Sequence, residues 1–171
     1  QRETLSRSIP AELPGTEFAC HNEPAAVVGG DFFTVLVRSP DEIYFAIGDV
    51  SGKGISAALL MAQTLSAMEF VFSTSSSPAN ALSRLNDTLQ ARIIRGMFVT
   101  TLIGRMIPSV KQLELASAGH CPPLLVTPEG QSSKIAVPPA LPLGVLPGTR
   151  YAQKTLRLEQ GECLLAYSDG L

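Results

Sequence analysis

The chain has 171 residues, 45% of them apolar and 16% charged. That is the balance of one globular domain with a sizeable core, and it excludes a disordered chain. Net charge is −2, from 13 basic and 15 acidic residues, and no basic run occurs, so a surface built to follow a nucleic-acid backbone is excluded.

Residues 1–15 (QRETLSRSIPAELPG) are polar and carry Pro10 and Pro14. They read as a linker from an upstream regulatory domain, and residues 16–171 as the domain proper. Residues 17–22 predict a first strand. Gly29 and Gly30 then allow a tight backbone approach just before Asp31. Two apolar runs, residues 32–37 and 43–47, flank Arg38-Ser39-Pro40-Asp41-Glu42. Both are rich in β-branched and aromatic residues, and Ser-Pro-Asp signals a turn, so a β-hairpin is predicted. With the turn centred on Pro40 and Arg38 facing Glu42, Asp31 lies opposite Asp49; a turn one residue longer would stagger the two. Like charges directly opposed on a sheet are destabilising. A cation between them would remove that cost, so a metal site is expected at the mouth of the hairpin.

Residues 48–54 form a glycine-rich loop between a strand and a helix, the place of a P-loop. The P-loop pattern G-x-x-x-x-G-K-[ST] does not fit, because only Asp49, Val50 and Ser51 separate Gly48 from Gly52, and Gly54 stands where the hydroxyl should be. Residues 55–72 predict a helix that is apolar on nearly all sides and therefore buried against a sheet. Its polar breaks at Ser56, Gln63, Thr64, Ser66 and Glu69 argue against membrane insertion. Ser77-Pro78 is a helix start, with Ser as N-cap and Pro at the first position. Residues 79–94 then carry apolar side chains at 82, 85, 89 and 93, and Gly96 stops the helix. Strands follow over 98–107 and 111–118, joined by a Pro-Ser turn, then over 123–127, 154–158 and 163–168, with a Pro-rich loop at 137–148. The expected fold class is α+β, with roughly five to eight antiparallel strands layered on two helices.

Cys20, Cys121 and Cys163 are scattered, with no CxxC spacing. This argues against disulfides and zinc, and for a reducing, cytoplasmic setting.

Three aspartates share one context: Asp31 in GGD, Asp49 in GDVSG and Asp169 in SDG. Any one Asp-Gly pair is ordinarily a turn. Three carboxylates at strand ends beside flexible backbone can converge on hard cations such as Mg²⁺ or Mn²⁺, which take oxygen ligands. Two such ions can activate a water and stabilise both oxygens of a phosphoryl transfer.

Several motifs carry a resemblance: GGDFF, IGDVSGKGISAALLMA, Leu85-Asn86, Met97-Phe98-Val99-Thr100, Ala118-Gly119-His120-Cys121-Pro122-Pro123-Leu124-Leu125, Pro142-Leu143-Gly144 and Tyr167-Ser168-Asp169-Gly170. From about residue 13 to 171 the chain resembles the SpoIIE/RsbU-type branch of the PPM (type 2C) metal-dependent serine/threonine protein phosphatases. The resemblance implies a two-sheet antiparallel β-sandwich flanked by helices, with two Mn²⁺ or Mg²⁺ ions at one edge. Asp49 would bridge the ions, the Val50 carbonyl would add a ligand, Asp31 would hold the second ion and Asp169 the first. These aspartates are thus the catalytic candidates, with a metal-bound hydroxide as nucleophile. The implied substrate is a phosphorylated anti-sigma-factor antagonist in a bacterial partner-switching pathway, under control of an upstream sensor or receiver domain. The runner-up is a non-catalytic binding module on the same fold.

Ser168 stands where the family usually has Thr, and Cys121 where Pro is common. The family continues past SDG into a helix and a last strand with another metal-binding aspartate, so the domain reads as C-terminally incomplete at Leu171. An edge strand left open there would invite homodimer contacts. Lys53, in the metal loop, is a candidate substrate contact, and His120 is read as holding a turn.

Overall fold

The computed structural model describes residues 16–21, 30–91, 93 and 96–168. The expected linker over residues 1–15, Gly29 and Asp169 lie outside them. Among the described residues the elements are, in order, β1 (Phe32–Ser39), β2 (Glu42–Val50), α1 (Ile55–Thr74), α2 (Pro78–Gln90), β3 (Val99–Ile107), β4 (Gln112–Ala118), β5 (Leu124–Val126), β6 (Ser132–Lys134), β7 (Lys154–Arg157) and β8 (Cys163–Leu165). They form an antiparallel sheet in the order β1-β2-β3-β4-β7 and a smaller one in the order β6-β5-β8.

Alternation along the strands explains the layering. On the central hairpin, Phe32, Leu36, Tyr44, Ala46 and Val50 point to one side and pack with the helices. Val35, Val37, Ile43, Phe45 and Ile47 point to the other, where Leu125 of β5 and Leu164 of β8 close the space between the sheets. Neither cluster can be served by the opposite face, so the register of each strand is fixed by burial.

The hairpin turn differs in detail from the expectation. Ser39, not Arg38, pairs with Glu42, and a bulge at Arg38 absorbs the extra residue. Pro40 and Asp41 make the connection. Arg38 leaves the ladder but still reaches Glu42 at 3.1 Å and the Ser75 carbonyl at 2.9 Å. Asp41 accepts hydrogen bonds from the Ser109 amide at 2.7 Å and the Ser109 hydroxyl at 2.5 Å. That hydroxyl bond, and then the amide bond, hold the Asp41 carboxyl below its ordinary range.

Residues 17–21 form no strand, apart from an isolated bridge at Thr16, and Asn22 lies outside the described residues. Phe18 instead lays its ring edge-on against Phe45, centroids 5.9 Å apart. The apolar residue there covers the sheet without pairing with it.

The larger correction concerns α1. It is not buried all round: Ala57, Leu60, Met61, Thr64, Met68, Val71 and Phe72 are buried, whereas Ile55, Leu59 and Phe70 are 80%, 60% and 65% exposed. The helix lies on the outside of the large sheet and beside α2, so only one stripe finds a partner. By length and composition alone α1 could cross a membrane; its inward stripe is packed on the sheet.

At α2, Ser77 caps the helix as expected, its hydroxyl oxygen accepting from the Asn80 amide at 3.2 Å. Leu82, Leu85 and Leu89 are fully buried. The helix ends at Gln90, short of residue 94, although the Ile93 amide still reaches the Leu89 carbonyl at 2.9 Å. Ile93 turns to pack beside Gly144. Buried Asn86 ties that Pro-rich loop down, donating to the Leu146 carbonyl at 3.0 Å and accepting from the Gly144 amide at 2.9 Å.

The sheet strands sit within one or two residues of their expected ends, except that β2 runs three residues further, to Val50, taking up the start of the expected 48–54 loop, and 163–168 shortens to β8. β6 is an unexpected strand.

Candidate metal centre

From Phe32↔Gly48 to Val37↔Ile43 the hairpin keeps a single register. The Val50 amide donates to the Gly30 carbonyl at 3.2 Å, so the same register continues past the end of β1. Asp31 therefore stands opposite Asp49. Because Gly30 and Val50 are the hydrogen-bonded pair, Asp31 and Asp49 occupy the next, non-hydrogen-bonded position. There Cα atoms are about 4.5 Å apart and side chains approach most closely.

Gly30 makes this approach possible. A Cβ on Gly30 would come within 2.5 Å of Asp49 Oδ1 and 2.6 Å of the Val50 carbonyl oxygen. These two oxygens thus converge on the same small space, which only a residue without a side chain leaves open. Among the described residues Asp31 Oδ1 is buried and has no hydrogen-bond partner. A buried carboxylate oxygen without a partner is costly in a folded protein unless an unseen group satisfies it. The chemistry of the set agrees, since carboxylate and carbonyl oxygens are the donors that Mg²⁺ and Mn²⁺ prefer.

Among the described residues no group of three or more His, Cys, Asp or Glu side chains comes together. The described part of the centre is two carboxylates and one main-chain carbonyl. Asp169 lies outside the described residues.

The loop after Asp49 is held by its neighbour. The Ser51 amide donates to the Phe98 carbonyl at 2.9 Å, and the Phe98 amide donates to the Ser51 hydroxyl oxygen at 2.8 Å. Gly54 has φ 80 and ψ −156, a region essentially closed to side chains, and it turns the chain directly into α1. The Ala58 amide then closes onto the Gly54 carbonyl at 3.1 Å. Lys53 is exposed in this loop.

Beside the hairpin, Thr100 is the β3 partner of Asp49. Its hydroxyl lies 3.5 Å from the Asp49 carbonyl oxygen and 3.3 Å from His120 Nδ1. The other ring nitrogen of His120 is 3.1 Å from the Tyr167 carbonyl oxygen. The expected role of His120 in its turn is also present: its amide donates to the Ser117 hydroxyl oxygen at 3.1 Å. Thr100 was not among the sequence candidates. Only the β2–β3 register would have pointed to it, because the motif Met97-Phe98-Val99-Thr100 says nothing of what Thr100 faces.

A family model described as Stage II sporulation protein E (SpoIIE) matches residues 39–171. The chain is 29% identical over 171 residues to "Phosphoserine phosphatase RsbU" of Bacillus subtilis (strain 168), covering 100% of this chain and 50% of that protein. The chain thus spans about half the length of this curated relative. Among solved structures, the RsbU and RsbW domains of Rv1364c from Mycobacterium tuberculosis superpose with a TM-score of 0.76 at 29% identity, over 86% of this chain and 41% of that one. RsbX in complex with magnesium superposes with a TM-score of 0.69 at 22% identity, over 88% and 71%.

Proposed function

Because the chain belongs to the Stage II sporulation protein E (SpoIIE) family, we propose that it is a metal-dependent serine/threonine protein phosphatase whose centre is built on Asp31, Asp49, the Val50 carbonyl and Asp169. The observation that carries this reading is the buried Oδ1 of Asp31, partnerless among the described residues, in register with Asp49, beside a space where Asp49 Oδ1 and the Val50 carbonyl oxygen converge. The magnesium bound to RsbX and the phosphoserine phosphatase activity named for RsbU support it.

Two Mn²⁺ or Mg²⁺ ions would supply the Lewis acidity that makes water a nucleophile at neutral pH and offsets the charge on the phosphoryl oxygens. The protein's own part is to hold and orient. Asp49 and Val50 are consecutive at the end of a central strand, so a carboxylate and a carbonyl enter the site at a fixed offset. Asp31 faces them across the hairpin, and Asp169 would complete the set. Lys53, on the exposed loop, would meet the substrate phosphate or the protein that carries it.

The substrate proposed is a phosphorylated anti-sigma-factor antagonist of a cytoplasmic partner-switching pathway. An upstream sensor or receiver domain would act through residues 1–15, and a homodimer contact would form at a sheet edge. A non-catalytic module that recognises the same partner is the second reading.

The two readings separate on one assay. A phosphoserine protein and p-nitrophenyl phosphate are each offered to the chain with Mn²⁺ and with EDTA. The phosphatase reading expects turnover in Mn²⁺ at least about 100-fold above the EDTA control. Binding of the phosphoprotein with no metal-dependent turnover would establish the second reading instead.

A further inference from the structure

We propose that His120 is a positioning residue which, through Thr100, sets the spacing between the strand that carries Asp49 and the segment that runs into Asp169. The inference rests on the metal-centre reading above and adds to it a strut that joins its two halves.

Hydrogen-bond chemistry fixes how the strut works. A carbonyl oxygen can only accept, so the 3.1 Å contact to Tyr167 requires the proton on His120 Nε2. In the neutral ring Nδ1 is then an acceptor facing the Thr100 hydroxyl 3.3 Å away, whose single proton is shared between Nδ1 and the Asp49 carbonyl oxygen 3.5 Å away. One neutral imidazole thus uses its single donor on one side and its single acceptor on the other. With its two ring nitrogens engaged in this way, the ring ties the two segments together.

Each end of the brace lands close in sequence or register to a proposed ligand. Thr100 is paired directly with Asp49 across β2 and β3, its hydroxyl 3.5 Å from the Asp49 carbonyl oxygen. Tyr167 lies two residues before Asp169 in the chain. The brace is itself held. Ser117 grips His120 from both sides of its backbone, accepting from the amide at 3.1 Å and donating to the carbonyl at 3.3 Å, and Ser117 is buried on β4. Without the imidazole, the Asp49 strand and the Tyr167 segment would be free to separate at this point, and ligands drawn from both would lose their common geometry. Partners of this kind, which touch no metal but orient its ligands, typically change metal affinity by about 10–100-fold.

The experiment measures Mn²⁺ binding by titration calorimetry on the wild-type chain and on His120→Ala, His120→Asn and Thr100→Val, with thermal unfolding in EDTA as the control for folding. His120→Ala should weaken Mn²⁺ binding about tenfold or more. Thr100→Val, which swaps the hydroxyl for a methyl of nearly the same shape, should weaken it in the same direction. The double variant should bind no more weakly than His120→Ala alone, because the two act through one contact. His120→Asn, which keeps a polar group near the Nδ1 position, should recover part of the loss. If His120→Ala and Thr100→Val bind Mn²⁺ within twofold of wild type, the strut is refuted, whatever their melting temperatures. A wild-type chain that binds no Mn²⁺ would overturn the underlying metal reading, and the strut with it.

Discussion

Asp49→Asn should abolish metal-dependent hydrolysis, by roughly 1,000-fold or more, and yet make the metal-free protein more stable. The two effects share one cause. Asp31 and Asp49 face each other at a non-hydrogen-bonded position of the hairpin, where opposed like charges cost a few tenths to about 1 kcal/mol. Asn at position 49 removes one of those charges, so unfolding in EDTA should move upward by up to about 1 kcal/mol. Any ligand bound only by the native state adds stability, about 2.7 kcal/mol at 100 times its dissociation constant. The wild-type chain should therefore gain stability when Mn²⁺ is added, and Asp49→Asn should gain little. Thermal unfolding with EDTA and with Mn²⁺, beside the hydrolysis assay, reads all three quantities. A variant that is inactive but still stabilised by Mn²⁺ to the wild-type extent would place the metal elsewhere.

Gly30→Ala should be nearly as damaging, although no proposed ligand is altered. The added methyl carbon would lie 2.5 Å from Asp49 Oδ1, 2.6 Å from the Val50 carbonyl oxygen and 3.3 Å from the Val50 amide nitrogen. Two of these are backbone atoms that take part in the register, since the Val50 amide is bonded to Gly30 itself at 3.2 Å. The chain cannot move them away without opening the end of the hairpin. Overpacking of this kind costs about 1–3 kcal/mol, and here the displaced oxygens are the proposed ligands. The expected result is a lower unfolding temperature in EDTA and loss of most of the Mn²⁺ response. Gly30→Ala with a wild-type Mn²⁺ titration would mean that Asp49 Oδ1 and the Val50 carbonyl do not need the space they converge on.

The β1–β2 register was legible in the sequence although the turn beside it was read incorrectly. The expected pairing of Arg38 with Glu42 gave way to a bulge and a Ser39↔Glu42 pair. Register nevertheless survived, because it is set by which residues must be buried and not by the turn. A slip of one residue would carry Val35, Phe45 and Ile47 out of the inter-sheet core. α2 was legible for a similar reason: a capping Ser and a leucine stripe agree on one face.

What was not legible had no pattern to read. Within residues 55–72 of α1 the polar residues, Ser56, Gln63, Thr64, Ser66 and Glu69, are spread around the helix, and a helix without one polar face does not announce which side is covered. Ile55, Leu59 and Phe70 were thus assigned to a core that does not include them. β6 is Ser-Ser-Lys, exposed throughout, and is a strand only because β5 lies alongside it. Thr100 and Tyr167 meet His120 from distant parts of the chain, and their roles depend on a contact that no local motif encodes.

The claim that Asp31, Asp49 and Val50 supply the ligands of a divalent cation is tested most directly by a crystal of the chain grown with Mn²⁺ and measured for anomalous scattering. The account predicts a manganese peak at the mouth of the β1–β2 hairpin, within about 2.0–2.3 Å of an Asp49 carboxylate oxygen and the Val50 carbonyl oxygen, with Asp31 Oδ1 directed at the same cluster. Manganese bound elsewhere, or none at this place at millimolar Mn²⁺, would contradict it.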